Sequence, residues 1–280
     1  MCGRKLGASD EAFGRYVENI RVKLERFEDL GEKPLGGGKL EILRQKKVQS
    51  NILILGLLFL ATIGCMSLVV YIREYTQRNI YLFLNWDMFL AWVPVVFMCF
   101  MNIVYVKVNK NRTLRMILLI LLGLAWLFFY PNSAYLITDM LHPFVHYKPE
   151  PGARFTHDLE FWYHLILFFS AALIGLFLSI YSLFSVQELV RKAFGRMTGW
   201  VFAVIILMLS SFGIYIGRFI RWNSWDVLLR PDVILKDTYL MLTDREQLHH
   251  IIPFSGMIFT VTLLSYSVVY CFSYMRSSSK

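Results

Sequence analysis

The sequence is short of charge, of paired cysteines and of catalytic signatures, and each shortage removes a class of protein. Only 18% of its 280 residues are charged while 56% are hydrophobic, a balance too apolar for an ordinary soluble domain. The four cysteines, Cys2, Cys65, Cys99 and Cys271, are scattered without a CxxC pair, so no disulfide framework or zinc ribbon is encoded. There is no P-loop, no glycine pattern for a dinucleotide, no GxSxG elbow and no HExxH. A secretory leader is not expected either, because a long charged segment precedes the first apolar run and that run is full length. Nor do two matching halves carry the broken helices that mark many secondary transporters.

What is present comes in blocks. Apolar stretches at about 48–71, 88–106, 114–137, 161–184, 199–219 and 251–274 are each long enough for a membrane span. Crossing roughly 30 Å of hydrocarbon takes about 20 helical residues. Lipid offers no partner to an open backbone group, so each block must be a helix. The expected fold is an all-α, polytopic transmembrane helical bundle of about six spans, with residues 48–276 as the membrane domain.

The net charge of +9 does not point to nucleic acid, because the basic residues gather in loops at helix ends. Arg44, Lys46 and Lys47 precede the first span; Lys107, Lys110, Arg112 and Arg115 crowd the loop between the second and third. Arg191, Lys192 and Arg196 fill the loop between the fourth and fifth. The positive-inside rule then puts both termini in the cytoplasm and the loops after spans one, three and five outside.

Residues 1–47 read as a cytoplasmic arm. Phe13, Val17, Ile20, Leu24 and Phe27 recur at alternating spacings of four and three, which predicts an amphipathic helix over residues 9–30. Its other face mixes acids and bases, which suits packing on a protein partner better than lying on lipid. Gly36, Gly37 and Gly38 read as a flexible joint, with residues 39–47 leading into the first span.

Four segments depart from plain apolar spans, and this topology puts each at an outer helix end. Asn85, Trp86 and Asp87 open span two. Tyr130, Pro131, Asn132, Ser133, Ala134, Tyr135 through Thr138, Asp139 and His142 close span three. His157, Asp158, Glu160, Trp162, Tyr163 and His164 open span four. Gly217, Arg218, Arg221, Trp222, Asn223, Trp225 and Asp226 close span five. The inner ends offer only Lys and Arg in comparison.

The residue types suggest chemistry. Asp139 and His142 are three apart, share a helical face, and suit acid/base catalysis or a proton relay. With His164 they form an N/O set that would suit a metal, with Asp158 or Glu160 as spare ligands. Arg218 and Arg221, again three apart, offer rigid donor forks for a phosphate or carboxylate, with Asn223 beside them. The same arginines could instead snorkel or pair with Asp87, Asp139 and Asp226 in a structural network. Pro131 predicts a kink or an end to span three, with Asn132 or Ser133 capping a short following helix. Trp86, Trp162, Trp222 and Trp225 fit an interfacial aromatic belt. Gly213 and Gly217 read as a close helix contact, and His249 and His250 as loop.

The stretches NWDMFLAW, FFYPNSAYLITDMLH and SSFGIYIGRFIRWNSWD resemble the signature segments of DUF1361, an uncharacterised family of bacterial integral membrane proteins. The likeness covers residues 50–275, and its most specific part is Gly-Arg-x-x-Arg-Trp-Asn-x-Trp-Asp. It implies a place in the bacterial plasma membrane and no particular activity. At His164, family members tend to carry an acid.

Together these readings lead to a polar site on the extracytoplasmic side that binds or modifies an anionic lipid or lipid-linked headgroup. Asn85, Asp87, Asn132, Arg218, Arg221, Asn223 and Asp226 would bind it, and Asp139 and His142 would catalyse. The alternatives are a scaffolding subunit of an envelope complex and a small-solute transporter. No cofactor can be named from the sequence.

Overall fold

The computed structural model describes residues 37–108, 111–146, 159–220 and 231–278, all of them helix or short connections. The amphipathic helix expected over residues 9–30 lies outside the described residues. The elements are α1 (Gly37–Thr76), α2 (Phe83–Lys107), α3 (Arg112–Tyr135), a 3-10 segment (Leu136–Leu141), α4 (His142–His146) and α5 (Leu159–Phe194). There follow α6 (Arg196–Tyr215), a π-helical segment (Ile216–Ile220), α7 (Pro231–Thr243) and α8 (Arg245–Ser278).

Six stretches are long and apolar enough to cross a membrane: Gln49–Thr76, Phe83–Lys107, Arg112–Val145, Leu159–Phe194, Arg196–Ile220 and Arg245–Ser273. All six spans were expected, and each observed stretch runs past at least one of its expected limits, because polar residues beyond the hydrocarbon still propagate the helix. Gly37 and Gly38 already belong to α1 rather than to a joint.

The chain divides into two compact units. Met1–Leu53 with Gln187–Ala203 forms the first. It holds the α5–α6 corner, where Gly195 has φ +96°, a left-handed conformation that strongly favours glycine. Ile54–Val186 with Val204–Lys280 forms the second, and its core is built on α2, α3 and α5.

Buried Leu84, Met88, Ala91, Val95 and Met98 recur on α2 at spacings of four and three, the stripe a helix buries against neighbours. The opposite face carries exposed Phe89, Val96, Phe100 and Ile103. Among the buried residues of α5 are the small ones Ala171, Ala172, Gly175, Ser179 and Ser182, which allow close helix approach. An ideal Cβ added to Gly175 would stand 2.3 Å from the Ser133 carbonyl oxygen of α3.

Polar groups inside the spans find one another. Trp126 Nε1 donates to Ser182 Oγ at 2.7 Å, Ser179 Oγ to the Tyr130 hydroxyl at 2.8 Å, and Asn102 Nδ2 to Ser185 Oγ at 2.9 Å. Trp92 Nε1 donates to Thr62 Oγ1 at 3.1 Å, joining α2 to α1.

Three expectations are corrected. Span three does not end at Pro131: α3 continues to Tyr135 and then tightens into the 3-10 segment. Ser133 caps nothing, because its hydroxyl donates to the Ala91 carbonyl of α2 at 2.7 Å. His249 and His250 are not loop. Asp244 Oδ1 accepts from the Glu246 N–H at 3.0 Å, an N-cap that starts α8 well before its apolar run.

Candidate polar site at the span ends

The ends of α1, α3 and α6 and the starts of α2 and α5 carry the polar residues, and ring and ion contacts draw several of these ends together. Tyr75 of α1 meets Tyr163 of α5 edge-on at 5.4 Å between centroids, and Arg78 Nη1 lies 3.5 Å from Glu160 Oε1. Phe83 at the start of α2 packs on His142 of α4 at 4.6 Å.

Asp139 is at the centre. It lies in the 3-10 segment, only 1% exposed, and its Oδ1 accepts from Arg218 Nη1 at 2.9 Å. Its second oxygen, Oδ2, is buried and has no hydrogen-bond partner among the described residues. A carboxylate buried in an ion pair normally fills all its acceptor sites, because each empty one adds desolvation cost without return.

Arg218 reaches Asp139 from the π-helical segment that ends span five. π turns are uncommon and recur at functional sites, since the extra residue per turn re-aims the side chains around it. The guanidinium stands 6.0 Å from the centre of the Tyr135 ring, and that ring packs on Gly217, whose ideal Cβ would lie 3.3 Å from it. Gly213 likewise receives Pro131, 3.0 Å from its ideal Cβ, so both glycines are close helix contacts as the sequence suggested. The Arg218 side chain keeps 21% of its surface open.

Asp87, half-buried on the first turns of α2, lies within electrostatic reach of both Asp139 and Arg218. His142 follows Asp139 by three residues, with Nδ1 at 3.0 Å from the Asp139 carbonyl and 3.6 Å from Oδ1. A neutral imidazole donating from Nδ1 carries its lone pair on Nε2. The ring stacks on Phe168 at 5.3 Å.

The structure therefore brings Asp87, Asp139, His142 and Arg218 together. It holds His164 in a neighbouring group: Nε2 lies 3.4 Å from Glu160 Oε1, and the ring meets Tyr81 at 5.3 Å. Phe168 stands between the groups, touching both His142 and Tyr81. Among the described residues no three His, Cys, Asp or Glu side chains converge as metal ligands, the Asp139, His142 and His164 set included. Asn85 is exposed on α2 and Asn132 half-buried on α3. Arg221, Asn223 and Asp226 lie outside the described residues, as do His157, Asp158, Trp222 and Trp225. Trp86 and Trp162 are exposed, as an interfacial belt requires.

Sequence reasoning placed Tyr135 in the segment that closes span three but gave it no role, and it missed Tyr81. Tyr135 sits one helical turn before Asp139, a spacing that could have marked it. Tyr81 is buried in the short α1–α2 connection with φ 63°, rare for a bulky residue and without a signature in sequence.

No curated protein and no solved structure matches the chain. One family does: the profile described as "Protein of unknown function (DUF1361)" matches residues 86–263, from the first turn of α2 into α8. That is more than half of the sequence, and this multi-pass membrane protein belongs to the DUF1361 family.

Proposed function

We propose that the Asp139–Arg218 cluster holds the headgroup of a lipid or lipid-linked substrate, anionic through its phosphate, and acts on it by acid/base chemistry. The observation that carries this reading is the unfilled Oδ2 of Asp139, a strong acceptor held at the end of a span beside a partly open arginine. A pair that served only to tie two helices would be expected to engage fork to fork, with both oxygens used.

In this reading Arg218 anchors the phosphate, with Arg221 and Asn223 extending the receptor. Asp139 and His142 exchange protons with the headgroup. Asn85, Asp87, Asn132 and Asp226 border it. Two carboxylates facing one arginine would repel a bare phosphate, so the headgroup that fits also carries a donor, a hydroxyl or an amine. Loop charges favour the extracytoplasmic face of a bacterial plasma membrane for the site, with the helix over residues 9–30 left to dock a protein partner.

A second reading has support of its own. The Arg218–Asp139 bond joins the end of span five to the end of span three, and a latch of that kind would suit an envelope scaffold. A solute route has less support, because the mid-span hydroxyls and indoles hydrogen-bond one another.

Phospholipid binding and thermal unfolding of Arg218→Lys and Asp139→Asn separate the two. The headgroup reading expects both variants to fold while binding roughly tenfold more weakly or worse, the equivalent of about 1.4 kcal/mol. A latch predicts the reverse: lowered unfolding midpoints, since breaking a buried pair costs roughly 3–5 kcal/mol, and unchanged binding by the folded fraction.

A further inference from the structure

A second polar feature lies in the connection from α1 to α2. A cavity of about 460 Å³ opens there, lined by Val70, Arg73, Glu74, Gln77, Arg78 and Asn79. None of these residues belongs to the Asp139 cluster, and none was singled out from the sequence.

The lining is rich in donors. Arg73 Nη2 donates to Asn79 Oδ1, which folds the guanidinium back over the end of α1. Its Nε is buried and has no acceptor among the described residues. Arg78 is 65% exposed on the rim, with one nitrogen 3.5 Å from Glu160. Gln77, at φ 52°, turns the chain so that its Nε2 caps the Glu74 carbonyl while its neighbours face the cavity. Glu74 is the only acid in the lining, against two arginines.

The cavity also sits at a particular level. The first span ends at Thr76, within the stretch that lines the cavity; Ile63 is exposed on α1 before it, and Val70, Tyr71 and Tyr75 are exposed alongside it. Tyr163 packs edge to face on both Tyr71 and Tyr75 beside it, an aromatic group of the kind that settles at the headgroup layer. An acyl chain lying along α1 would bring its phosphate level with Arg73 and Arg78. A guanidinium whose Nε lacks an acceptor is suited to that anion.

We infer that this cavity is a binding site for the phosphate of a membrane phospholipid. It is separate from the Asp139 cluster and does not depend on the function proposed for it. Acyl chains would contact the exposed face of α1, and the phosphate would satisfy Arg73 while Arg78 closes over it from the rim.

The test is a titration of the full chain in neutral detergent, followed by native mass spectrometry and unfolding midpoint. Three probes are used: phosphatidylglycerol, a diacylglycerol with the same acyl chains and no phosphate, and inorganic phosphate. The expected result is that phosphatidylglycerol binds and raises the midpoint whereas diacylglycerol does not. Arg78→Gln, at an exposed position that should leave the fold intact, weakens that binding roughly tenfold. Arg73→Lys weakens it as well, because an ammonium cannot reproduce the fork. Arg218→Lys, altered in the other cluster, leaves this component unchanged. Equal binding by the wild type and both pocket variants would overturn the inference. So would a full effect from inorganic phosphate alone, which would assign the cavity to a free anion.

Discussion

Tyr81 shows how one residue couples the span ends. It is 3% exposed, adopts φ 63°, and touches Phe83, His164 and Phe168 with its ring. Burial pushes its phenol up to about 12, the Glu160 carboxylate adds to that rise, and Arg78 opposes it. An unfolded tyrosine ionises near about 10. Between the two values the unfolded chain has lost a proton that the folded one keeps, so stability holds up to the lower value and falls as pH rises through the upper. Unfolding midpoints measured in detergent from neutral pH to about 12 should show this decline in the wild type. Tyr81→Phe should flatten the part of it that Tyr81 supplies. An identical decline in the variant would mean that other groups cause it.

Asp139, His142 and Arg218 belong to the same scale and were legible, because their spacing and their place at span ends could be read directly. The unfilled oxygen of Asp139 was not legible: it depends on how Arg218 approaches from a different helix. The partition of the two histidines was hidden for a similar reason, since Phe168 comes between them from inside the apolar run of α5.

At the scale of elements, the close seam between α3 and α5 decides where the site residues stand. An ideal Cβ on Gly175 would lie 2.3 Å from the Ser133 carbonyl oxygen and 2.8 Å from Leu136 Cδ1. Gly175→Ala should therefore push α3 and the 3-10 segment outward and cost about 1–3 kcal/mol, read from the unfolding midpoint. Gly56→Ala on α1 is the control, since its Cβ would meet nothing within 4 Å. Equal midpoints for the two variants would show that the seam is looser than its geometry implies.

The elements were legible where a long apolar run defines them. They were misread at their margins, where helices continue through polar residues. Asp244 followed by Glu246 was a readable start signal for α8, and Pro231 followed by Asp232 one for α7, which the sequence reading left as loop. The π turn around Arg218 and the passage of α3 through Pro131 had no such signal. Both follow from contacts between helices: Gly213 and Gly217 let Pro131 and Tyr135 press directly on α6 and the π segment after it.

For the whole molecule, the balance of exposure agrees with a protein whose solvent is lipid. Leu57, Leu60, Ile120, Leu124, Leu264 and Phe272 are all exposed along the spans, whereas Ser179, Ser182, Ser210 and Ser211 are buried. That inversion of the soluble pattern was legible from hydropathy alone. Which spans touch was not, because every apolar face reads alike until small residues and hydrogen bonds choose among them.

The central claim is that Asp139 and Arg218 form a headgroup site whose unfilled oxygen accepts from the ligand. The most direct measurement is the stabilisation of the wild type and Asp139→Asn by two short-chain phospholipids that differ only in whether the headgroup bears a hydroxyl. A ligand at about a hundred times its Kd stabilises the folded state by roughly 2.7 kcal/mol, enough to resolve in an unfolding midpoint. The account predicts that the hydroxyl-bearing lipid stabilises the wild type more than its methylated counterpart and that Asp139→Asn abolishes the difference. Equal stabilisation of both proteins by both lipids would contradict it and leave the Asp139–Arg218 pair as a latch between two spans.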